Sequence, residues 1–338
     1  MSYPKKNLLE LKKMTLEQVI LYNKELRKYE YENNIPLKHI YLRNKIHSLL
    51  VQIIKIDRLL SQDTLTVIND NRLNTTNPKI YACTHIGGSD VERIYEAIKE
   101  PAYLFLGDPK ELYRDLPGLL LKINGVICLE TNDLEDRKIA TYRAIEVLKN
   151  NGNLMIFPEG AWNISPNLLV MGLYHGTASI ALKTNVDIIP VGIEQYDNHF
   201  YVSIGKNIVT SNLSNIKVPK LTNLLRDSLA TEKWRIIEYQ GTFDRNQVVQ
   251  TNIHEFQQAI VDKCPYGFNL EDVYNTMYHE KSSLTKKCQN NWRCLKTITR
   301  NVKKTYLTIL LKGCIIWLNK GDNYVYYWYN TRNFRKCW

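Results

Sequence analysis

The chain has 338 residues, enough for one large domain or two modest ones, and its 44% hydrophobic and 23% charged content is ordinary for a globular protein. Seven scattered cysteines without a C-x-x-C pair exclude a zinc framework or a disulfide scaffold and predict a reducing, cytoplasmic setting without a bound metal. The net charge of +11 is uneven: residues 290–338 carry ten Lys or Arg and one acidic residue, Asp322, which leaves +2 for the first 289 residues.

The first residues, MSYPKKNLLELKK, lack the apolar core of a signal peptide, and no run of about eighteen apolar residues follows anywhere. No transmembrane helix is therefore expected. Residues 15–60 read as helices separated at Pro36, with Ile46, Leu49, Leu50, Ile53, Ile54 and Leu60 marking one face. From 78 to 208, strands are expected at 79–84, 102–106, 125–130, 153–157, 187–193 and 200–205. They alternate with helices at 90–99, 109–122, 133–149 and 174–184, the third starting at an Asn132-Asp133 cap. This alternation predicts an α/β fold, a mainly parallel sheet flanked by helices. An N-terminal helical hairpin (1–70) packs on the core (71–215), and a helical, basic, aromatic-rich extension (216–338) follows.

Two stretches carry chemistry. Thr84-His85-Ile86-Gly87-Gly88-Ser89-Asp90 lies between a short apolar strand and a helix whose Ser89 and Glu92 spell a capping box. His85 then sits at the C-terminal end of a strand and Asp90 in the first helical turn, where open α/β sheets place their ligands. Gly87-Gly88 permits the bend that brings carboxylate to imidazole. A capped helix with an incidental histidine satisfies the same pattern. The second stretch is Phe157-Pro158-Glu159-Gly160. Pro158 ends a strand and Gly160 allows a tight turn, which leaves Glu159 at the same sheet edge as His85, either as a site residue or merely solvated.

His85-x-x-x-x-Asp90 followed by Phe157-Pro158-Glu159-Gly160 resembles the glycerolipid acyltransferase family, which includes 1-acylglycerol-3-phosphate acyltransferases. Gly125–Glu130 and Ile188–Ile193 resemble two further blocks of that family, in order and at matching spacing over residues 75–210. The resemblance implies that His85 is a general base for the acceptor hydroxyl and that Asp90 fixes the imidazole tautomer. It implies an acyl-CoA or acyl-ACP donor, no cofactor and no metal. It places Phe157, Pro158, Glu159 and Gly160 at the acceptor site.

Departures from the family pattern bear on the acceptor. Thr131 stands where phosphate-reading members carry arginine. Ala161-Trp162-Asn163 replaces Thr-Arg-Ser, and His175 is the sole basic candidate before Gly176. Neither Thr131 nor Trp162 can grip phosphate bidentately. Arg137 and Arg143 remain as substitutes, and Trp162 is left to pack on a sugar ring, on an acyl chain or in the core. The expected reaction is acyl transfer to a lysophospholipid or 1-acylglycerol-3-phosphate hydroxyl. A non-phosphorylated alcohol or amine acceptor, or an inactive lipid-binding member, is the alternative. The aromatic, basic stretch at 303–329 fits an anionic membrane surface on the cytoplasmic side. The folded body offers no motif for nucleic acid.

Overall fold

The computed structural model describes residues 3–37, 40–165, 168–213, 215–241, 251–262 and 266–278, together with strands at 308–311, 314–318 and 325–329. Two compact units divide the chain at residues 279 and 280.

The first unit opens with α1 (Leu8–Lys12), α2 (Leu16–Glu32) and α3 (Ile40–Leu60). Thr15 starts α2 through a capping box with Gln18, which satisfies two end N–H groups at once. Arg27 ties α2 to the core through a two-pronged contact with the buried Asp136 carboxylate at 2.9 and 2.6 Å. Much of α3 stays apolar and uncovered: Leu49, Ile53, Ile56 and Leu60 are all exposed.

Seven strands follow: β1 (Thr64–Asp70), β2 (Lys79–Cys83), β3 (Ala102–Gly107), β4 (Val126–Leu129), β5 (Asn153–Ile156), β6 (Asp187–Tyr196) and β7 (His199–Ile204). They form one sheet in the order β1-β7-β6-β2-β5-β3-β4. Pairing is parallel from β6 through to β4, antiparallel between β6 and β7, and parallel again between β7 and β1. The mainly parallel α/β architecture read from the sequence is the one present.

Between the strands lie α4 (Asp90–Ile98), α5 (Leu116–Asn124), α6 (Leu134–Lys149) and α7 (Gly176–Thr184). Asp133 caps α6 by accepting from Glu135 and Asp136 N–H. Central strand β2 is buried along its whole length, and its side chains alternate between two cores. Ile80 and Ala82 join the cluster with Leu148, Ile180 and Leu225, while Tyr81 and Cys83 join the one with Ile94, Ile98 and Phe200. Each fully buried aliphatic side chain stabilises the fold by about 1.5–3 kcal/mol, so the site rests on a heavily anchored strand. Helix α8 (Val218–Gln240) covers β6 with Leu221, Leu225, Leu229 and Ile236, and α9 (Thr251–Asp262) and α10 (Leu270–Thr276) follow.

Three elements differ from the sequence expectation. Strand β1 lay unassigned inside the N-terminal helical region; it is an edge strand with no fully buried residue, so its alternation is weak. The helix expected at 109–122 is two pieces, a 3-10 turn Lys110–Tyr113 and then α5, because Asp115 caps a new helix with Pro117 in its first turn. The extension is helical through α8, α9 and α10, as expected, but its described residues from 308 onward are not. There β8 (Thr308–Leu311), β9 (Cys314–Leu318) and β10 (Val325–Tyr329) form an antiparallel sheet, with Trp317 opposite Tyr326. Ile315, Ile316, Trp317 and the Val-Tyr-Tyr-Trp-Tyr run favour the pleated surface, so β propensity overrides the helical reading. The rest of residues 290–338 lies outside the described residues. Among the described residues no helix is long and apolar enough to cross a membrane.

Candidate active site

Strand β2 ends at Cys83, and the chain turns through Gly87 and Gly88, both at positive φ (+86° and +62°), before entering α4. An L side chain is strained in that backbone region. At Gly87 a Cβ would also stand 2.8 Å from Ile260 and 3.3 Å from Trp162. The turn folds Asp90 back onto His85. Asp90 Oδ2 lies 2.7 Å from His85 Nδ1 and accepts from the N–H groups of Ile86 at 2.8 Å and Gly87 at 2.9 Å. An oxygen that already accepts two backbone donors calls for a third donor, so Nδ1 carries the ring proton and Nε2 keeps the lone pair. Asp90 is buried and stands in the first turn of α4, whose positive end favours a carboxylate. The expected capping box does not form, since Ser89 makes no side-chain cap bond; the Asp90 carboxylate serves the neighbouring N–H groups instead.

The second motif holds the first. Gly160, at φ +74°, closes a turn by donating to Phe157 C=O at 3.0 Å. Glu159 takes neither position the sequence left open, since it is not solvated and does not line the cavity around His85. It is fully buried, with Oε1 accepting from His85 N–H at 3.2 Å and Oε2 from Met171 N–H at 2.8 Å. Burial raises the Glu159 pKa, while the two N–H donors and the nearby Lys233 charge pull the other way. Asn163 N–H donates to His85 C=O at 2.7 Å. Both backbone polar groups of His85 are thus clamped by the stretch from Glu159 to Asn163. Its ring packs on Phe157, with centroids 4.2 Å apart, and meets Trp162 edge-on at 6.2 Å.

His85, Asp90, Phe157, Gly160 and Trp162 line one cavity of ≈ 260 Å³. Pro158 and Glu159 lie buried behind it, and Thr131 is absent from its lining. Thr131 instead donates its N–H to Asp108 at 2.8 Å and bonds the same carboxylate through its hydroxyl. Apolar walls come from Leu50 and Ile54 of α3, Leu104 and Leu106 of β3, and Phe268 and Val273 near α10. The charged lining is acidic: Asp90, Glu92 and Asp108, with no Lys or Arg among the described lining residues. Burial pushes the Glu92 carboxyl up to about 7. Of the substitute cations, Arg143 is buried in an ion pair with Glu146 at 2.7 Å, and Arg137 is exposed, with its charge acting on Tyr174. Among the described residues no group of three or more His, Cys, Asp or Glu is arranged to hold a metal ion.

Sequence reasoning passed over a second polar cluster in the same cavity. His47 of α3, Tyr95 of α4 and Asn124 of α5 all line it, and His47 is buried. Its Nδ1 lies 2.9 Å from Asn124 Oδ1, and its ring meets Tyr95 edge-on at 5.1 Å. Burial lowers the His47 pKa and keeps the ring neutral. The signal was available, because His47, Leu50 and Ile54 share one helical stripe.

A family model described as Acyltransferase matches residues 64–194. A 1-acyl-sn-glycerol-3-phosphate acyltransferase of Borreliella burgdorferi (strain ATCC 35210 / DSM 4680 / CIP 102532 / B31) is 27% identical over 124 residues, covering 33% of this chain and 49% of that protein. The chain thus spans about half the length of the curated relative it matches. A crystal structure of the 1-acyl-sn-glycerophosphate acyltransferase PlsC from Thermotoga maritima shows a TM-score of 0.48 and 16% identity, over 70% of this chain and 96% of that one. The matched segment starts at the first residue of β1 and ends within β6, so it takes in both motifs and every parallel strand between them. Over those residues the chain is similar to the acyltransferase family.

Proposed function

We propose that this chain transfers a fatty acyl group from an acyl thioester, acyl-CoA or acyl-ACP, to the hydroxyl of a lysophospholipid or 1-acylglycerol-3-phosphate. The observation that carries the reading is the His85–Asp90 pair at 2.7 Å, set into an otherwise largely apolar cavity. His85 Nε2 takes the proton from the acceptor hydroxyl as its oxygen attacks the thioester carbonyl. The C–S bond then breaks, and the thiolate leaves with the proton returned by the imidazolium. Asp90 holds the tautomer and stabilises the transient cation. The thioester is already activated, so the route requires neither a covalent acyl-enzyme nor a cofactor. The acceptor class is the one printed for the Borreliella relative. The exposed apolar residues of α3 and the basic tail support peripheral attachment to an anionic, cytoplasmic-side membrane surface.

One observation favours a second acceptor. The cavity presents Asp90, Glu92 and Asp108 without a cation among its described lining, a poor setting for phosphate and a suitable one for a neutral alcohol or an amine. The test incubates purified protein with acyl-CoA or acyl-ACP and a panel of lysophosphatidate, headgroup-masked lysolipids and neutral alcohols, reading thiol release and acylated product. Turnover with a lysolipid supports the first reading, and preference for uncharged acceptors selects the second. Thiol release that no acceptor stimulates would overturn both.

A further inference from the structure

The polarity of the His47 cluster follows from its contact with Asn124. Tyr95 donates its hydroxyl proton to Ala102 C=O at 3.1 Å. The Asn124 amide oxygen faces His47 Nδ1 at 2.9 Å and can only accept, so His47 Nδ1 carries the proton. Nε2 is left as a pure acceptor. It is buried and has no hydrogen-bond partner among the described residues. An unmet acceptor of this kind is expensive, and this one belongs to a side chain lining the cavity that also contains the dyad.

Its distance from the dyad follows from strand register. Ala82 pairs with Ile156, and Ile156 with Phe105, which puts His85 level with Asp108. The Tyr95 hydroxyl sits at Ala102. At 3.3 Å per residue the two polar centres are separated by about 15–20 Å along β3. Leu104 and Leu106 of β3 line the cavity over that interval, joined by Leu50 and Ile54 of α3.

We infer that the cavity selects acyl chains bearing a hydroxyl at their distal end, the hydroxyl donating to His47 Nε2 while the thioester carbonyl lies at His85. The inference rests on the acyl-transfer reading above. The reaction is unchanged; the hydroxyl is a recognition group and takes no part in bond making. A methyl-ended chain of the same length leaves the acceptor unmet and is discriminated against by about tenfold, the worth of one hydrogen bond to a buried acceptor. Shorter chains do not reach His47 and show no discrimination.

The experiment compares ω-hydroxyacyl-CoA with unsubstituted acyl-CoA over a series of chain lengths, reading kcat/KM with one fixed acceptor. Equilibrium binding of the corresponding non-transferable thioether pairs is measured by calorimetry. A hydroxyl preference of about tenfold that emerges only at spanning lengths, and that is lost in His47→Phe, is expected. Equal use of both chains at every length overturns the inference and shows that water alone meets Nε2; a preference that survives His47→Phe overturns it too. Should His47→Phe fail to fold, the wild-type length dependence decides by itself. Should no thioester be turned over, the acyl-transfer reading falls, and the calorimetric preference still decides whether the cavity reads a hydroxyl.

Discussion

Glu159→Gln separates a carboxylate that positions the dyad from one that touches substrate. In the folded protein each carboxylate oxygen accepts one buried backbone N–H, from His85 at 3.2 Å and from Met171 at 2.8 Å. Glutamine offers one oxygen and one NH2 group. Whichever way it turns, a donor faces a donor, and one N–H is left unpaired at about 1–3 kcal/mol. The longer bond is the one expected to be given up, so His85 loses the support of its own N–H. For a folded unit somewhat larger than 150–250 residues, where each kcal/mol moves Tm by about 2–4 °C, the melting point should fall by roughly 2–10 °C. A histidine displaced by a fraction of an ångström should cost about 10- to 100-fold in kcat, with KM for the donor little changed. Scanning calorimetry and steady-state kinetics on one preparation provide both readings. Wild-type Tm and kcat in Glu159→Gln would refute the reasoning, because a neutral acid at position 159 already presents one O–H, and glutamine mimics it. A raised KM for the acceptor with unchanged Tm would place Glu159 on the substrate after all.

His85→Ala should lower turnover by about 10²–10⁴-fold without altering the far-ultraviolet spectrum. Asp90→Asn keeps an oxygen for the three N–H donors but loses the charge on His85, and should cost about 10- to 150-fold; a deficit larger than that of His85→Ala would show that Asp90 does more than orient. Glu92 titrates near 4.5 when unfolded and at about 7 when folded, so the folded state holds the extra proton between those values. Its contribution to stability is therefore complete below about 4.5 and lost as pH rises through about 7. Glu92→Gln should flatten the fall in Tm across that window, and an unchanged slope would assign the fall to other groups. Liposome sedimentation should show binding that needs anionic lipid, weakens with salt, and falls when the chain ends at residue 289. Salt-insensitive pelleting of the shortened chain would shift attachment from the tail to the exposed face of α3.

The dyad was legible because its geometry is local. Two glycines and a five-residue spacing leave few ways to place Asp90 other than against His85. The same locality misled at Ser89, where a capping pattern is present and the cap is not made. Glu159 was located correctly on its strand end and given the wrong direction, since its partner Met171 N–H comes from a later loop. Thr131 was read as an empty phosphate contact, and its commitment to Asp108 depends on β3 and β4 lying side by side. His47 escaped notice because a histidine in an apolar stripe looks like core until its second nitrogen is found unmet. Strand β1 and the strands at 308–329 were missed for opposite reasons, the first too exposed to alternate clearly and the second too apolar to betray a period.

The cavity draws its walls from three separated stretches of chain. Leu50 and Ile54 precede the segment shared with the family, and Phe268 and Val273 follow it, while Ile260 presses on the Gly87 turn from the same later region. The His85–Asp90 pair lies inside residues 64–194, and part of the enclosure lies outside. On the proposed reading, reactivity and part of the selectivity thus reside on different pieces of the polypeptide. Drift in the flanks can recut the pocket without disturbing a single bond of the dyad. Two chains sharing the motifs at high identity can therefore differ in what they acylate, and exchanging the flanks between them would exchange that preference while the base stays where it is.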